Sequence, residues 1–358
     1  MAKRAVTFVV MAGGKGERLW PLVRVSRPKV CLSPDGTRTL LQQTIARLRA
    51  AWPGARWLIV TTAGQAKAVR ESLPRPLRRC VFVEPRITST GACLTLAAVA
   101  VAARDPSTVM VAAPADHWMT RSGEGAYRLA IRAAIHAAAD GRTIATIGIP
   151  ATQPHPGFGY LCAGASVNGV ASPRVLRLTR FIEKPSRAKA AQLLKRPRTY
   201  WNSGTFIGTA EVFLERITER LPEHARRLWP LRTSIGTPAF ARAAAKAYRG
   251  LAPVSFDHGV MNALRDGLVV EGRFAWADLG SWDLWARLGR STSPVVTVDS
   301  RNVTVVSRTP HLVATIGMRN MLVVHTEDAT LICPPERSQA VRGVVTQLSR
   351  DRRLRRYL

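Results

Sequence analysis

The sequence predicts an α/β protein on a doubly wound, mostly parallel, Rossmann-like sheet, followed by a small all-β unit. Three observations carry this expectation: short continuous apolar runs rich in β-branched residues, helical stretches between them, and a change of rhythm after Arg290. The run AVTFVVM at 5–11 is too short for a typical helix and stops at glycines, as a strand buried on both faces would. Similar runs recur at 57–61, 80–83, 108–113 and 143–149, with helical composition at 40–50, 91–104 and 124–139. From 150 to 290 the pattern loosens into short strands at 158–162, 175–183, 204–208 and 268–275, as in a substrate-binding elaboration of the same domain. Beyond it, segments at 295–298, 303–306, 312–316, 321–325 and 330–333 follow at spacings near nine residues, and a helix over 335–349 leads into a basic tail. The expected division is therefore 1–290 and 291–358, with no long-period repeat.

The 358 residues suffice for a sizeable core, and 46% hydrophobic with 21% charged residues excludes collagen-like, low-complexity and disordered classes. No apolar run approaches the roughly 20 residues of a membrane span. The amino terminus shows no small-residue cleavage site, so the expectation is a cytoplasmic protein without membrane contact. Cys31, Cys80, Cys93, Cys162 and Cys333 lie far apart and form no CxxC pair, against a disulfide framework or a zinc site. The net charge of +30 favours polyanions, but the basic residues are spread along the chain without an aromatic-studded stripe. This reads as a solvated, arginine-biased surface with no specific nucleic-acid partner; RDRRLRRYL at the end is the one true basic cluster.

The strongest local signal is MAGGKGERLWPLVRVSRPK at 11–29, directly after the first strand. Gly13, Gly14 and Gly16 allow backbone amides to approach an anion, and Lys15, Arg18 and Lys29 add positive charge, as a polyphosphate cradle requires. The spacing matches neither GxxxxGK[ST] nor GxGxxG, so a Walker loop and a dinucleotide fingerprint are both excluded.

With this segment come Glu84-Pro85, Pro114-Ala115-Asp116-His117, Gly157-Phe158-Gly159-Tyr160, Phe181-Ile182-Glu183-Lys184-Pro185, Trp201-Asn202-Ser203-Gly204 and Trp276-Ala277-Asp278-Leu279-Gly280-Ser281-Trp282. In this order and spacing the set resembles the sugar-1-phosphate nucleotidyltransferases, and among them the mannose-1-phosphate guanylyltransferases. The trailing segment, with DSRN at 299–302, resembles that family's small β-helical domain.

The resemblance implies attack of a sugar-1-phosphate oxygen on the α-phosphorus of a nucleoside triphosphate, with GTP and mannose 1-phosphate as the substrates and Mg²⁺ as cofactor. Such a transfer needs an aligned nucleophile, a divalent cation and positive groups on the oxygens that gain charge. Asp116 and Asp278 are the expected metal carboxylates, since Mg²⁺ takes one or two carboxylates plus phosphate oxygens and water. The expected nucleotide-binding set is Ala12, Gly13, Gly14, Lys15, Gly16, Glu17, Arg18, Glu84 and Thr90. Arg18 and Lys15 would hold the outer phosphates and Lys29 would lie near the α-phosphate. The sugar-phosphate set is Gly159, Tyr160, Glu183, Lys184, Asn202, Gly204 and Asp257, with Lys184 on the sugar phosphate. The catalytic set is Arg18, Lys29, Asp116, Lys184 and Asp278, and His117 is expected to support Asp116 by hydrogen bonding.

Three departures from the family pattern bear on specificity. Thr88, Ser89, Thr90, Gly91 and Ala92 stand where an Arg-Asn-Thr-Ala-Pro loop is usual, Val30-Cys31 follows RPK in place of Gln-Phe, and Asn262 replaces an acidic residue. The same chemistry on another nucleotide or sugar, and a silent nucleotide-sugar sensor, are the competing expectations. The sequence leaves a homodimer open, and it shows no fused isomerase unit, so a single activity is expected.

Overall fold

The computed structural model describes residues 4–167, 172–280, 282, 285, 294–307 and 309–358. Its first strands are β1 Val6–Met11, β2 Arg56–Thr62, β3 Val81–Glu84 and β4 Val109–Pro114. Beyond β5 His117–Met119 come β6 Ala145–Pro150, β7 Tyr160–Ser166, β8 Val175–Ile182, β9 Thr199–Thr209 and β10 Leu268–Glu271. Apart from β5, these form one nine-stranded sheet in the order β3-β2-β1-β4-β9-β6-β10-β8-β7.

Phe8, Val9 and Val10 are wholly buried because both sheet faces are covered. Helices α1 Leu40–Ala51 and α4 Glu124–Ala138 pack on the face holding Phe8, Val10 and Val111. Helix α3 Thr90–Ala102 covers the face holding Val9, Met110 and Ala112. The start of α1 is fixed by a capping box in which Thr39 and Gln42 each satisfy the other's backbone N–H.

The doubly wound α/β class holds, but the parallel ladder is confined to β3-β2-β1-β4 and the β6–β10 pair. Antiparallel β9 separates them, pairing with β4 and β6, while β8 and β7 close the other edge. β9 begins well before the expected 204–208 because Asn202, Ser203, Gly204 and Thr205 interrupt any apolar run ahead of Phe206. The expected strand at 268–275 ends at Glu271. A two-stranded ribbon of β5 and β11, Trp276–Asp278, has no counterpart in the sequence-based expectation; three residues per strand are too few to show a period.

The C-terminal strands are β12 Val295–Val298, β13 Arg301–Ser307, β14 Val313–Ile316, β15 Arg319–His325 and β16 Thr330–Cys333. β12 pairs in parallel with β14 and β13 with β15, each residue facing the one a full coil later, while β16 returns antiparallel. The near-nine-residue spacing is thus half of an 18-residue coil, whose corners carry Asn302 and Asn320 joined by a 3.0 Å side-chain hydrogen bond. Both asparagines adopt left-handed backbone, φ 54° and 51°, which Asn tolerates better than most residues. The repeat escaped the sequence because a single coil repeats little beyond Ser300-Arg301-Asn302 and Met318-Arg319-Asn320.

This unit is no free appendage. Val306, Leu322 and Val324 share one apolar cluster with Leu19, Trp20 and Leu22 of the signature segment and with Trp282 and Trp285. The expected helix at 335–349 divides into a 3₁₀ turn, Pro335–Ala340, and a helix, Val341–Arg350. The expected boundary after residue 290 lies outside the described residues. Among these, no helix is long and apolar enough to cross a membrane.

Candidate active site

The glycine loop leaves β1 at its carboxyl end, where ligands of open α/β sheets bind. The Ala12 amide donates to the Val60 carbonyl, the Thr61 hydroxyl donates to the Ala12 carbonyl, and Gln65 Nε2 donates to the Gly14 carbonyl at 2.7 Å. Gly16 sits at φ 60°, and a Cβ there would lie 2.9 Å from Val23, so both backbone and packing require glycine. Beyond the loop, the Trp20 indole donates to the Tyr357 carbonyl at 2.8 Å and Arg24 donates to the same carbonyl, so the tail braces the signature segment.

A pocket of about 290 Å³ is lined by residues 12–19 together with Lys29, Asp116 and Asp278. The ribbon explains the convergence of the two aspartates: Asp278 on β11 lies opposite His117 on β5, the residue after Asp116. Lys29 Nζ donates to Asp116 Oδ2 at 2.7 Å and to Asp278 Oδ1 at 2.9 Å. Burial works against the charge on Lys29, yet the two carboxylates outweigh it and raise its pKa above the usual lysine value. Burial likewise opposes ionisation of Asp278, but Lys29, His117 and Arg18 bring it down to about 2. His117 is held below the ordinary histidine value by burial, which exceeds the pull of Asp116 and Asp278. It is therefore a neutral imidazole at pH 7, and its Nε2 is 4.0 Å from Asp116.

Two carboxylates meeting within reach of one ammonium suit a small hard cation that completes its shell with phosphate oxygens and water. Among the described residues no group of three or more His, Cys, Asp or Glu is gathered for a metal.

The sugar-side residues assemble separately around β9. Asn202 Nδ2 donates to Asp257 Oδ1 at 2.7 Å, while Asn202 Oδ1 accepts from the Thr146 hydroxyl and the Gly204 amide, both at 3.1 Å. The Asn202 amide donates to the Gly159 carbonyl at 2.8 Å. A Cβ at Gly159 would lie 2.8 Å from Glu183 Oε2, and Glu183 Oε1 is 2.9 Å from Lys184 Nζ. Lys184 itself adopts φ 43° and Gly204 φ 67°. Burial and then the Glu183 charge raise Asp257 to about 6.

Three of the expected site residues have protein partners of their own. Glu84 is buried away from the phosphate pocket, its Oε1 accepting from the Tyr248 hydroxyl at 2.9 Å. Burial, against the pull of Tyr248 and Cys93, raises its pKa to about 7. Thr90 Oγ1 accepts from the Phe256 amide, and the Gly91 amide donates to the Val254 carbonyl. A Cβ at position 91 would lie 2.4 Å from that carbonyl, so this variant loop is docked backbone to backbone on the segment leading to Asp257. Tyr160 is wholly buried, its hydroxyl held by the 153–155 loop, where it accepts from the His155 amide at 2.8 Å. Conversely, Gln65 and Arg342 line the phosphate pocket without a motif to announce them. Gln65 follows a strand end as an ordinary polar residue, and Arg342 is one among many arginines.

The sequence profile of the nucleotidyl transferase family matches residues 7–289, and that of the mannose-phosphate isomerase/GMP-like β-helix domain matches 293–348. The chain is 31% identical to a mannose-1-phosphate guanylyltransferase of Escherichia coli (strain K12), over 99% of this chain and 75% of that protein. It is 32% identical to one of Sinorhizobium fredii, over 96% and 67% respectively. The chain is a nucleotidyltransferase of the mannose-1-phosphate guanylyltransferase family. A solved structure described as mannose-1-phosphate geranyltransferase from Thermus thermophilus superposes with a TM-score of 0.80 at 29% identity, covering 97% of this chain and all of that one.

Proposed function

We propose that the protein transfers GMP from GTP to mannose 1-phosphate. A phosphate oxygen of the sugar phosphate attacks the α-phosphorus, the α–β phosphoanhydride bond breaks, and GDP-mannose and pyrophosphate leave. The convergence of Asp116, Asp278 and Lys29 beside the glycine loop is the observation that carries this reading. Asp116 and Asp278 would hold Mg²⁺, which when bound neutralises charge on the phosphate oxygens. Lys29 stands beside them as a fixed cation for the α-phosphate, and Arg18 offers a bidentate donor to the outer phosphates. The sugar phosphate is already ionised at neutral pH, so no general base is needed and neutral His117 serves position rather than proton transfer. Asn202, Glu183 and Asp257 present donors and acceptors to sugar hydroxyls, and Lys184 a cation to the sugar phosphate.

The altered sequence of the 88–92 loop supports a second arm, the same transfer with another nucleotide. Pyrophosphate release from purified protein with each of the four ribonucleoside triphosphates and a panel of hexose 1-phosphates tests both. Highest kcat/KM with GTP and mannose 1-phosphate is expected; silence with every pair rejects the reading.

A further inference from the structure

The C-terminal helix brings its second residue, Arg342, to the wall of the phosphate pocket. Its approach is fixed by the residues just before it. The preceding Val341 is buried in the cluster shared with Leu19 and Trp20, and Gln339 Oε1 accepts from Arg18 Nη1 at 3.5 Å. The pocket's charges show why this matters. Lys15 lies 3.3 Å from Glu17, and Lys29 is shared by Asp116 and Asp278. The lining sets Lys15, Arg18, Lys29 and Arg342 against Glu17, Asp116 and Asp278, so it is net positive by one charge, and loss of Arg342 would leave it neutral. Among the described residues, Arg18 and Arg342 are the pocket cations without a carboxylate partner.

A nucleoside triphosphate is a polyanion, and a guanidinium binds phosphate oxygens in pairs. We propose that Arg342 is a nucleotide-phosphate ligand, so that the C-terminal β unit supplies part of the active site by binding the triphosphate and the pyrophosphate it leaves as. This rests on the transfer reading above and extends it to a residue outside the catalytic sheet. The apolar cluster joining the two units is then what holds a binding residue in place.

The test uses the full chain as wild type, Arg342→Ala, Arg342→Lys and, as a control on the same helix away from the pocket, Arg350→Ala. Calorimetric binding of inorganic pyrophosphate with Mg²⁺ present is measured alongside KM for GTP and for mannose 1-phosphate. Arg342→Ala is expected to weaken pyrophosphate binding and raise KM for GTP by about 10-fold or more, the scale of one lost charge-assisted phosphate contact. KM for mannose 1-phosphate should stay within about twofold, Arg342→Lys should recover part of the loss, and Arg350→Ala should match wild type. Arg342 is exposed, so the thermal midpoint should not move. Pyrophosphate affinity of Arg342→Ala within twofold of wild type overturns the proposal, as does a fall in thermal midpoint with affinity retained. Wild-type protein that turns over no substrate pair defeats the transfer reading instead, while pyrophosphate binding still decides the role of Arg342.

Discussion

Asp278 and Asp257 stand on different elements, and their surroundings move them in opposite directions. Asp278 shares the Lys29 ammonium with Asp116 and is lowered to about 2, whereas burial and then the neighbouring Glu183 charge raise Asp257 to about 6 against the hydrogen bond from Asn202. The phosphate side is thus organised by fixed opposite charges drawn from distant segments. The sugar side is organised by hydrogen bonds among β9 and its neighbours. Charge pairing among distant segments suits the proposed polyanion and metal side; a hydrogen-bonded network around Asn202, with the Glu183–Lys184 pair beside it, suits the proposed role of distinguishing hydroxyl positions.

The sharpest way to break this contrast is on the charged side. Asp278→Ala removes one of the two carboxylates proposed for the metal and should lower kcat by about a thousandfold, near 4 kcal/mol, with little change in KM for the sugar phosphate. A rate unaffected at saturating Mg²⁺ removes Asp278 from the metal site. On the sugar side Asn202→Ala orphans the Gly204 amide and the Asp257 carboxyl together. It should cost about 2–3 kcal/mol in urea unfolding and raise KM for mannose 1-phosphate more than KM for GTP. An equal effect on both constants would show that the two sides are not separate.

A smaller effect tests the raised aspartate itself. The folded chain keeps Asp257 protonated up to about 6, whereas an unfolded one releases its proton near the ordinary 3.8. The folded state therefore loses stability relative to the unfolded state as pH rises between those values. Asp257→Asn should match wild type near pH 4 and exceed it near pH 7 by about 3 kcal/mol. A stability difference that is the same at both pH values refutes the shift.

Strand by strand, the parallel half of the sheet was readable because strands buried on both faces leave unbroken apolar runs: 5–11 became Val6–Met11 and 57–61 became Arg56–Thr62. The glycine loop was equally readable, since Gly16 is required by its own backbone and one adjacent side chain. A motif names a residue without saying which way its side chain faces: Glu84 turns to Tyr248 and Tyr160 to the 153–155 loop. Arg342 gave no signal, since its importance is a matter of position rather than of residue type.

Local pattern alone therefore determined the wound core, the anion-ready loop and the motifs that carry Asp116 and Asp278. Only the tertiary structure decided that a three-residue ribbon sets Asp278 across from His117, and that a coil of the C-terminal unit is sealed onto Leu19, Trp20 and Leu22. The physical reason is range. Helix, strand and turn preferences act over a few neighbouring residues, whereas burial and charge pairing join whichever segments the packed chain brings together.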